Sequence, residues 1–451
     1  MATDVNMEQW TNAIDEALAA FSPDPDGPRD LNVQKAVFLA RHLQRRASEL
    51  VSAEEKRQMD RVHRMIQDPQ DKATIVQVTD ETFRSNAPKR AANQLVHILH
   101  NMGIPRFFGA LDKGLMHGFN VFGEMMSGLA MPLARAKIFG ELSDVVLGAE
   151  DRTLVQHLAH RRGEGLRMNV NFLGEALQDE REAEERLAKY LRALQMPEIE
   201  FISVKISTIY SQITPIAREH TLSVLCDRLE LLFRAAAKQR FVRADGTETC
   251  KSVYMDMEEY RDVDITTEAF IRTLDRKGMN DVKAGLALQA YVPDACRVQQ
   301  RLNAWARERV AAGGSPVLIR LVKGANMEME RVNASLEGWP MPTYISKPDT
   351  DANYKRMLQE ALKPENLEAV RVGVASHNLF DLSYALVLAK ELGALDKIQF
   401  EMLEGMAGHQ QRALAELASN ILLYAPACRK EDFVYAVGYF IRRLDENTAP
   451  E

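Results

Sequence analysis

From Arg167 to Ala425 the sequence repeats one alternation, a short β-rich apolar run followed by a stretch with helical apolar spacing, and it does so eight times. Eight strands each followed by a helix close most readily into a parallel (β/α)8 barrel, so this pattern predicts a distorted TIM-like barrel. The strands are expected near Arg167–Leu173, Ile199–Ser207, Ser252–Asp256, Gly285–Tyr291, Val317–Val322, Val370–His377, Lys397–Leu403 and Asn420–Ala425. Between the third and fourth there is room for a helix, and Ala244–Thr249 reads as a turn ahead of the third. Residues 1–160 read differently, as helix after helix without an alternating strand. Apolar spacing predicts helices over Met7–Phe21, Leu31–Gln67 with a break, Phe83–Met102 and Met131–Leu147, with Pro23, Pro25, Gly27 and Pro28 breaking the chain. The expected organisation is thus a helical arm over 1–160 and a barrel domain over 161–451.

Composition removes several function classes. Lys+Arg 57 against Asp+Glu 64 gives a net charge of -7, so no basic field exists to hold a nucleic acid. The four cysteines, Cys226, Cys250, Cys296 and Cys428, form no CxxC pair or metal-ligand cluster, and read as reduced thiols of a cytoplasmic protein. No run of eighteen apolar residues occurs, which leaves at most peripheral contact with a membrane. No Gly-x-Gly-x-x-Gly turn, Walker loop, HExxH or Gly-x-Ser-x-Gly elbow is present.

In a barrel of this kind, functional side chains gather at the C-terminal ends of the strands. In the second strand, Ile202, Val204 and Ile206 face the helices, which turns Ser203 and Lys205 into the lumen. Asp256, at the end of the third strand, is the partner expected for Lys205, because an unpaired buried charge costs several kcal/mol. Arg320 and Lys323 place cations near another strand end, and Gly324 lets a ligand approach the backbone. Beyond the last strand, Tyr439, Arg442, Arg443 and Glu446 fall at i, i+3, i+4 and i+7 and share one helix face. Two guanidiniums on that face can grip a small carboxylic acid through paired hydrogen bonds, or can simply be the solvated end of a helix.

The segment YAPACRKEDFVYAVGYFIRRLDEN resembles the signature helix of the proline dehydrogenase family, and the flavoenzyme half of bacterial bifunctional proline utilization A proteins in particular. VKIS around Lys205, YMDME around Asp256, LQAY around Gln289 and RLVKGA over Arg320–Ala325 carry the same resemblance. It implies oxidation of L-proline to Δ1-pyrroline-5-carboxylate with noncovalent FAD, hydride passing to flavin N5 and electrons continuing to a quinone. By the same resemblance, Lys205, Asp256, Leu403, Tyr424, Tyr439, Arg442 and Arg443 surround the substrate, and Glu175 pairs with Arg442 as a gate. Gln289, Arg320, Lys323, Gly324 and Ala325 border the flavin, while Lys347, His377, Asn378 and Glu446 follow its phosphates and adenosine. Asn326 departs from the tyrosine that bifunctional members commonly carry after KGA. Those members continue into an aldehyde dehydrogenase module, and the quinone places such an enzyme in the cytoplasm with peripheral contact at the inner membrane. Two alternatives stand beside this reading: a Schiff-base aldolase using Lys205, and a proline-binding scaffold without redox activity.

Overall fold

The computed structural model describes residues 4–57, 59–60, 68–82, 87–104, 146–174, 177, 179–429, 436 and 439. Glu175, Arg442, Arg443, Glu446 and nearly all of the helix expected over Met131–Leu147 lie outside the described residues. Helices occupy Asp4–Leu18 (α1), Leu31–Leu50 (α2), Pro69–Gln77 (α3), Pro88–Met102 (α4), Asp151–Gly163 (α5), Glu180–Ala193 (α6) and Arg218–Lys238 (α7). Further along are Val263–Leu274 (α8), Ala295–Ala311 (α9), Met327–Glu337 (α10), Lys347–Ala361 (α11), Leu379–Glu391 (α12) and Gly408–Ala415 (α13). Strands are Leu147–Gly148 (β1), Arg167–Phe172 (β2), Phe201–Val204 (β3), Arg240–Val242 (β4), Glu248–Cys250 (β5) and Ser252–Met255 (β6). They continue with Ala284–Gln289 (β7), Val317–Val322 (β8), Val370–Ala375 (β9), Ile398–Leu403 (β10) and Ile421–Cys428 (β11).

Eight of these strands, β2, β3, β6, β7, β8, β9, β10 and β11, pair side by side, and β11 returns to β2 to close the ring. The registered neighbours are parallel throughout. This is the (β/α)8 barrel expected from the alternation. Each strand is apolar on its helix-facing side, where Ile202, Val204, Val253, Met255, Leu286, Leu288, Ile319 and Leu321 are buried. Burying each such side chain stabilises the fold by roughly 1.5–3 kcal/mol. Alternate residues point inward, and Phe201, Tyr254, Leu318 and Leu422 pack together there. Below that layer, Arg167 is held by Glu200 at 2.8 Å and by the Asn420 side chain at 2.6 Å, and Arg243 reaches the same Glu200 at 2.7 Å.

Two expectations need correction, and one is met with a shorter turn. The second strand stops at Val204 rather than Ser207, because Thr208 N–H donates to Lys205 O and the chain turns into a 3-10 helix over Ile206–Thr208. The turn expected over Ala244–Thr249 is present at Ala244–Gly246, with Gly246 at positive φ, but Glu248 and Thr249 already belong to β5 of an antiparallel hairpin with β4. Leu147 ends no helix: Leu147–Gly148 form β1, paired with Ala427–Cys428.

The chain divides into two compact units, Met1–Leu50 with Val155–Asn171 and Glu175–Ala425, and Val51–Leu154 with Phe172–Gly174 and Pro426–Glu451. In the first, α2 buries Ala36, Leu39, Ala40, Leu43 and Ala47, spaced as one helix face, and packs on α12 and α13. Trp10 Nε1 donates to Ser419 Oγ at 2.9 Å, and Arg46 pairs with Glu416 at 2.7 Å. In the second, α4 buries Ala91, Ala92, Leu95, Ile98 and Leu99 and ends at Gly103. Among the described residues no helix is long and apolar enough to cross a membrane, and no cluster of three or more metal-binding side chains occurs. The four cysteines are unpaired with one another.

Candidate active site

The upper lumen of the barrel is polar although its walls are not. Arg320, at the fourth position of β8, is 3% exposed and stands between two carboxylates. Its Nη1 donates to Asp256 Oδ1 at 2.7 Å and its Nε to Glu401 Oε2 at 2.5 Å. The guanidinium also lies over the Tyr254 ring, 3.9 Å from the centroid, and 5.2 Å from that of Tyr424. Burial works against its charge, but Glu401 and Asp256 outweigh burial and hold its pKa above the usual arginine range. Arg320 is therefore a fixed cation.

Asp256 gathers three strands. Besides Arg320, it accepts from Ser203 Oγ at 3.1 Å and from Tyr424 OH at 2.8 Å, and Asn169 Nδ2 donates to that same serine at 3.0 Å. The expected ion pair between Lys205 and Asp256 is replaced by another. Lys205 Nζ donates to Glu258 Oε1 at 2.5 Å, and Ser207 Oγ donates to the other oxygen of that carboxylate at 3.0 Å. The reason is competition: Val204 pairs with Met255, so Lys205 follows level with Asp256, but that carboxylate is already taken by Arg320, Ser203 and Tyr424, and Glu258 is left for the lysine. Its ammonium sits beside a carboxylate and not in the apolar pocket that a neutral nucleophilic lysine requires.

Leu403, the last residue of β10, is directly paired with Tyr424 in the middle of β11, so the two side chains lie on the same side of the sheet. Leu403 N–H donates to His377 Nε2 at 2.9 Å, which places the ring proton of neutral His377 on Nδ1. Asn378 caps α12, its side chain accepting from Phe380 N–H at 2.9 Å. Gln289 closes β7 and is 5% exposed; its Nε2 donates to the carbonyls of Met257 and Glu258, both at 3.4 Å, while Oε1 makes no hydrogen bond. Arg320 Nη2 is likewise without an acceptor.

The loop after β8 is held differently from the lumen. Lys323 Nζ lies 2.5 Å from Asp351 and 2.8 Å from Asp381, and Lys355 pairs with the second oxygen of Asp381 at 2.8 Å. Burial opposes the charge on Lys323, but Asp381 and Asp351 raise its pKa regardless. Gly324 has φ +128°, and a Cβ there would come within 2.5 Å of the Tyr291 ring, so only glycine fits. Ala325 is exposed beside it. Lys347 is the exposed first residue of α11 and is followed by Pro348, which has no N–H. Tyr439 is buried and helical within the second compact unit.

A family model for proline dehydrogenase matches residues 154–451. The chain belongs to the proline dehydrogenase family. It is 36% identical over 129 residues to proline dehydrogenase 2 of Bacillus subtilis (strain 168), a match covering 28% of this chain and 36% of that protein. To hydroxyproline dehydrogenase of Bos taurus it is 30% identical over 163 residues, covering 35% of this chain and 34% of the relative. The matched region thus spans about a third of these curated relatives. Among solved structures, proline utilization A from Corynebacterium freiburgense superposes with a TM-score of 0.64 at 38% identity, covering 69% of this chain and 32% of that one. The Bdellovibrio bacteriovorus protein, inactivated by N-propargylglycine, gives 0.73 at 24% identity over 93% of this chain and 42% of its own, a likeness that speaks for the fold.

For a proline dehydrogenase family member, the residues that sequence reasoning missed are Glu401, Tyr254 and Asp381. Glu401 did carry a signal: Gln399 and Glu401 alternate with apolar residues in IQFEML, so both polar side chains had to face the lumen. Asp381 carried none, because an acidic residue in the first turn of a helix is ordinary.

Proposed function

We propose that the protein oxidises L-proline to Δ1-pyrroline-5-carboxylate, with noncovalently bound FAD accepting the electrons and a quinone receiving them afterwards. The observation that carries this reading is the pair of unfilled polar atoms in the lumen, Arg320 Nη2 and Gln289 Oε1. They come from adjacent strands, where Ala287 pairs with Arg320 and Gln289 with Val322. Leaving a buried donor or acceptor unmet costs about 1–3 kcal/mol each, and a planar heterocycle bearing both acceptors and N–H donors relieves both. FAD supplies, when bound, a two-electron acceptor that no side chain of this protein offers.

The chain's own part is binding and orientation. Arg320, fixed by two carboxylates, keeps a donor directed by the fold rather than by the ligand. Lys205, Arg442 and Arg443 supply the charge that holds a substrate carboxylate, Tyr439 offers a hydroxyl beside them, and Leu403 and Tyr424 wall the apolar ring. Glu175 and Arg442 gate the entrance. Gly324 and Ala325 let the ring system approach the backbone. Lys347 at the start of α11 suits a pyrophosphate, with His377, Asn378 and Glu446 along the remaining nucleotide. Lys323, balanced by Asp351 and Asp381, anchors the loop that carries Gly324.

Acid precipitation of protein expressed with ample riboflavin tests the cofactor. A yellow supernatant containing FAD, with proline-dependent dye reduction before precipitation, supports the reading. Colour retained in the pellet refutes noncovalent binding, and a colourless protein without dye reduction favours the scaffold alternative.

A further inference from the structure

Beneath Arg320 the lumen wall has two notches. The strands on either side of β8 each turn a glycine inward, Gly285 on β7 and Gly373 on β9. A Cβ at Gly285 would overlap the Tyr254 ring, and one at Gly373 would overlap Glu401 Oε1. Neither glycine has a positive φ, so their backbones would accept alanine, and the overlaps under 3.0 Å come from the neighbouring side chains. What fills the notches is one connected group. Tyr254 OH donates to Glu401 Oε1 at 2.8 Å, and Gln399 Nε2 donates to the same oxygen at 2.7 Å and to the Tyr254 oxygen at 2.9 Å. With Oε1 occupied twice, Oε2 is left for Arg320 Nε. Glu401 and Tyr254 are 3% and 0% exposed, so water does not compete for these bonds.

The consequence for Arg320 is geometric. Its guanidinium lies over the Tyr254 ring, its Nε is tied to Glu401 and its Nη1 to Asp256, which leaves Nη2 as the group the protein does not use. We propose that Glu401, seated by Tyr254, Gln399 and the two glycine notches, is a positioning residue that sets the orientation and the net charge Arg320 presents to the bound flavin. The inference rests on the flavin reading above. Glu401 need not touch the flavin to act. Its negative charge offsets the guanidinium beside the ring, and removing it makes the surroundings more positive by one unit. Adding electrons to the flavin then becomes easier.

The test compares the flavin reduction potential of the parent with those of Glu401→Gln and Gly373→Ala, each equilibrated with a reference dye. Glu401→Gln is expected to shift the equilibrium about tenfold toward reduced flavin, close to 30 mV for a two-electron couple. Gly373→Ala keeps the charge but displaces the carboxylate, so a shift of the same sign and about threefold is expected. Should Glu401→Gln not fold, Gly373→Ala decides alone. Potentials equal to the parent's in the folded variants, with stability alone reduced, would overturn the positioning role. A parent that binds no flavin would instead overturn the underlying reading, and the two failures are told apart by the parent spectrum.

Discussion

Asp256 is where the lumen network is most concentrated, and its removal should be felt as stability before it is felt as chemistry. The carboxylate accepts from Arg320 at 2.7 Å, Tyr424 at 2.8 Å and Ser203 at 3.1 Å. Asp256→Asn keeps the shape and one acceptor but loses the charge, so the expected cost is one charge-assisted bond, about 1.5–3 kcal/mol. Asp256→Ala strips all three donors of their acceptor and leaves Arg320 with Glu401 alone. Breaking a buried pair from one side costs about 3–5 kcal/mol, so alanine should be the more damaging change. The assay is urea unfolding of the barrel followed by tryptophan fluorescence. Adding Tyr424→Phe in a double-mutant cycle should give a coupling of about 0.5–3 kcal/mol, because the two side chains share a bond. If Asp256→Ala unfolds at the parent's urea concentration with the same slope, the network contributes nothing and the reasoning about buried charge in this lumen is wrong.

Three further outcomes follow from other parts of the structure. Burial, helped by Glu259, Glu258 and Glu330 and opposed by Arg261, pushes the Asp262 carboxyl up to about 6 from an ordinary 3.8. Between those values the folded state binds more protons than the unfolded one, so this group lowers stability as pH rises through 4 to 6. Asp262→Asn should remove that slope and stabilise the protein at pH 7 by up to about 3 kcal/mol; an unchanged pH profile would show that Asp262 ionises normally. Gly324→Ala combines a φ of +128° with a clash on Tyr291, and should cost about 1–3 kcal/mol with at least tenfold weaker flavin retention on dialysis. Arg442→Met and Arg443→Met should each lower kcat/KM for proline about 10- to 100-fold, and parent-like kinetics in both would return these arginines to a solvated helix end.

The barrel was legible because its signal is carried by many residues at once. The eight predicted strands correspond to β2, β3 and β6 to β11, since a two-residue period inside short apolar runs leaves few other folds. Strand ends were less legible. Nothing in VKIS marks Val204 as the last paired residue, and nothing in the sequence shows that Arg320, Ser203 and Tyr424 occupy Asp256 and leave Glu258 for Lys205. The packing of α2 on α12 and α13 was invisible, because periodicity shows that a helix has an apolar face and not which surface covers it. The inward polar residues divide in the same way. Ser203 could be placed in the lumen from alternation and Arg320 only near a strand end, whereas the choice of Glu401 as a partner depends on the notches at Gly285 and Gly373, a three-dimensional fact.

Addition of L-proline to the purified protein under anaerobic conditions, followed by visible absorption, tests the central claim most directly. The account predicts an oxidised flavin spectrum that bleaches on proline addition and returns when a quinone is supplied, with no covalent adduct at Lys205 after borohydride treatment. A flavin spectrum unmoved by saturating proline, or a proline-independent borohydride adduct with a carbonyl compound at Lys205, would contradict it.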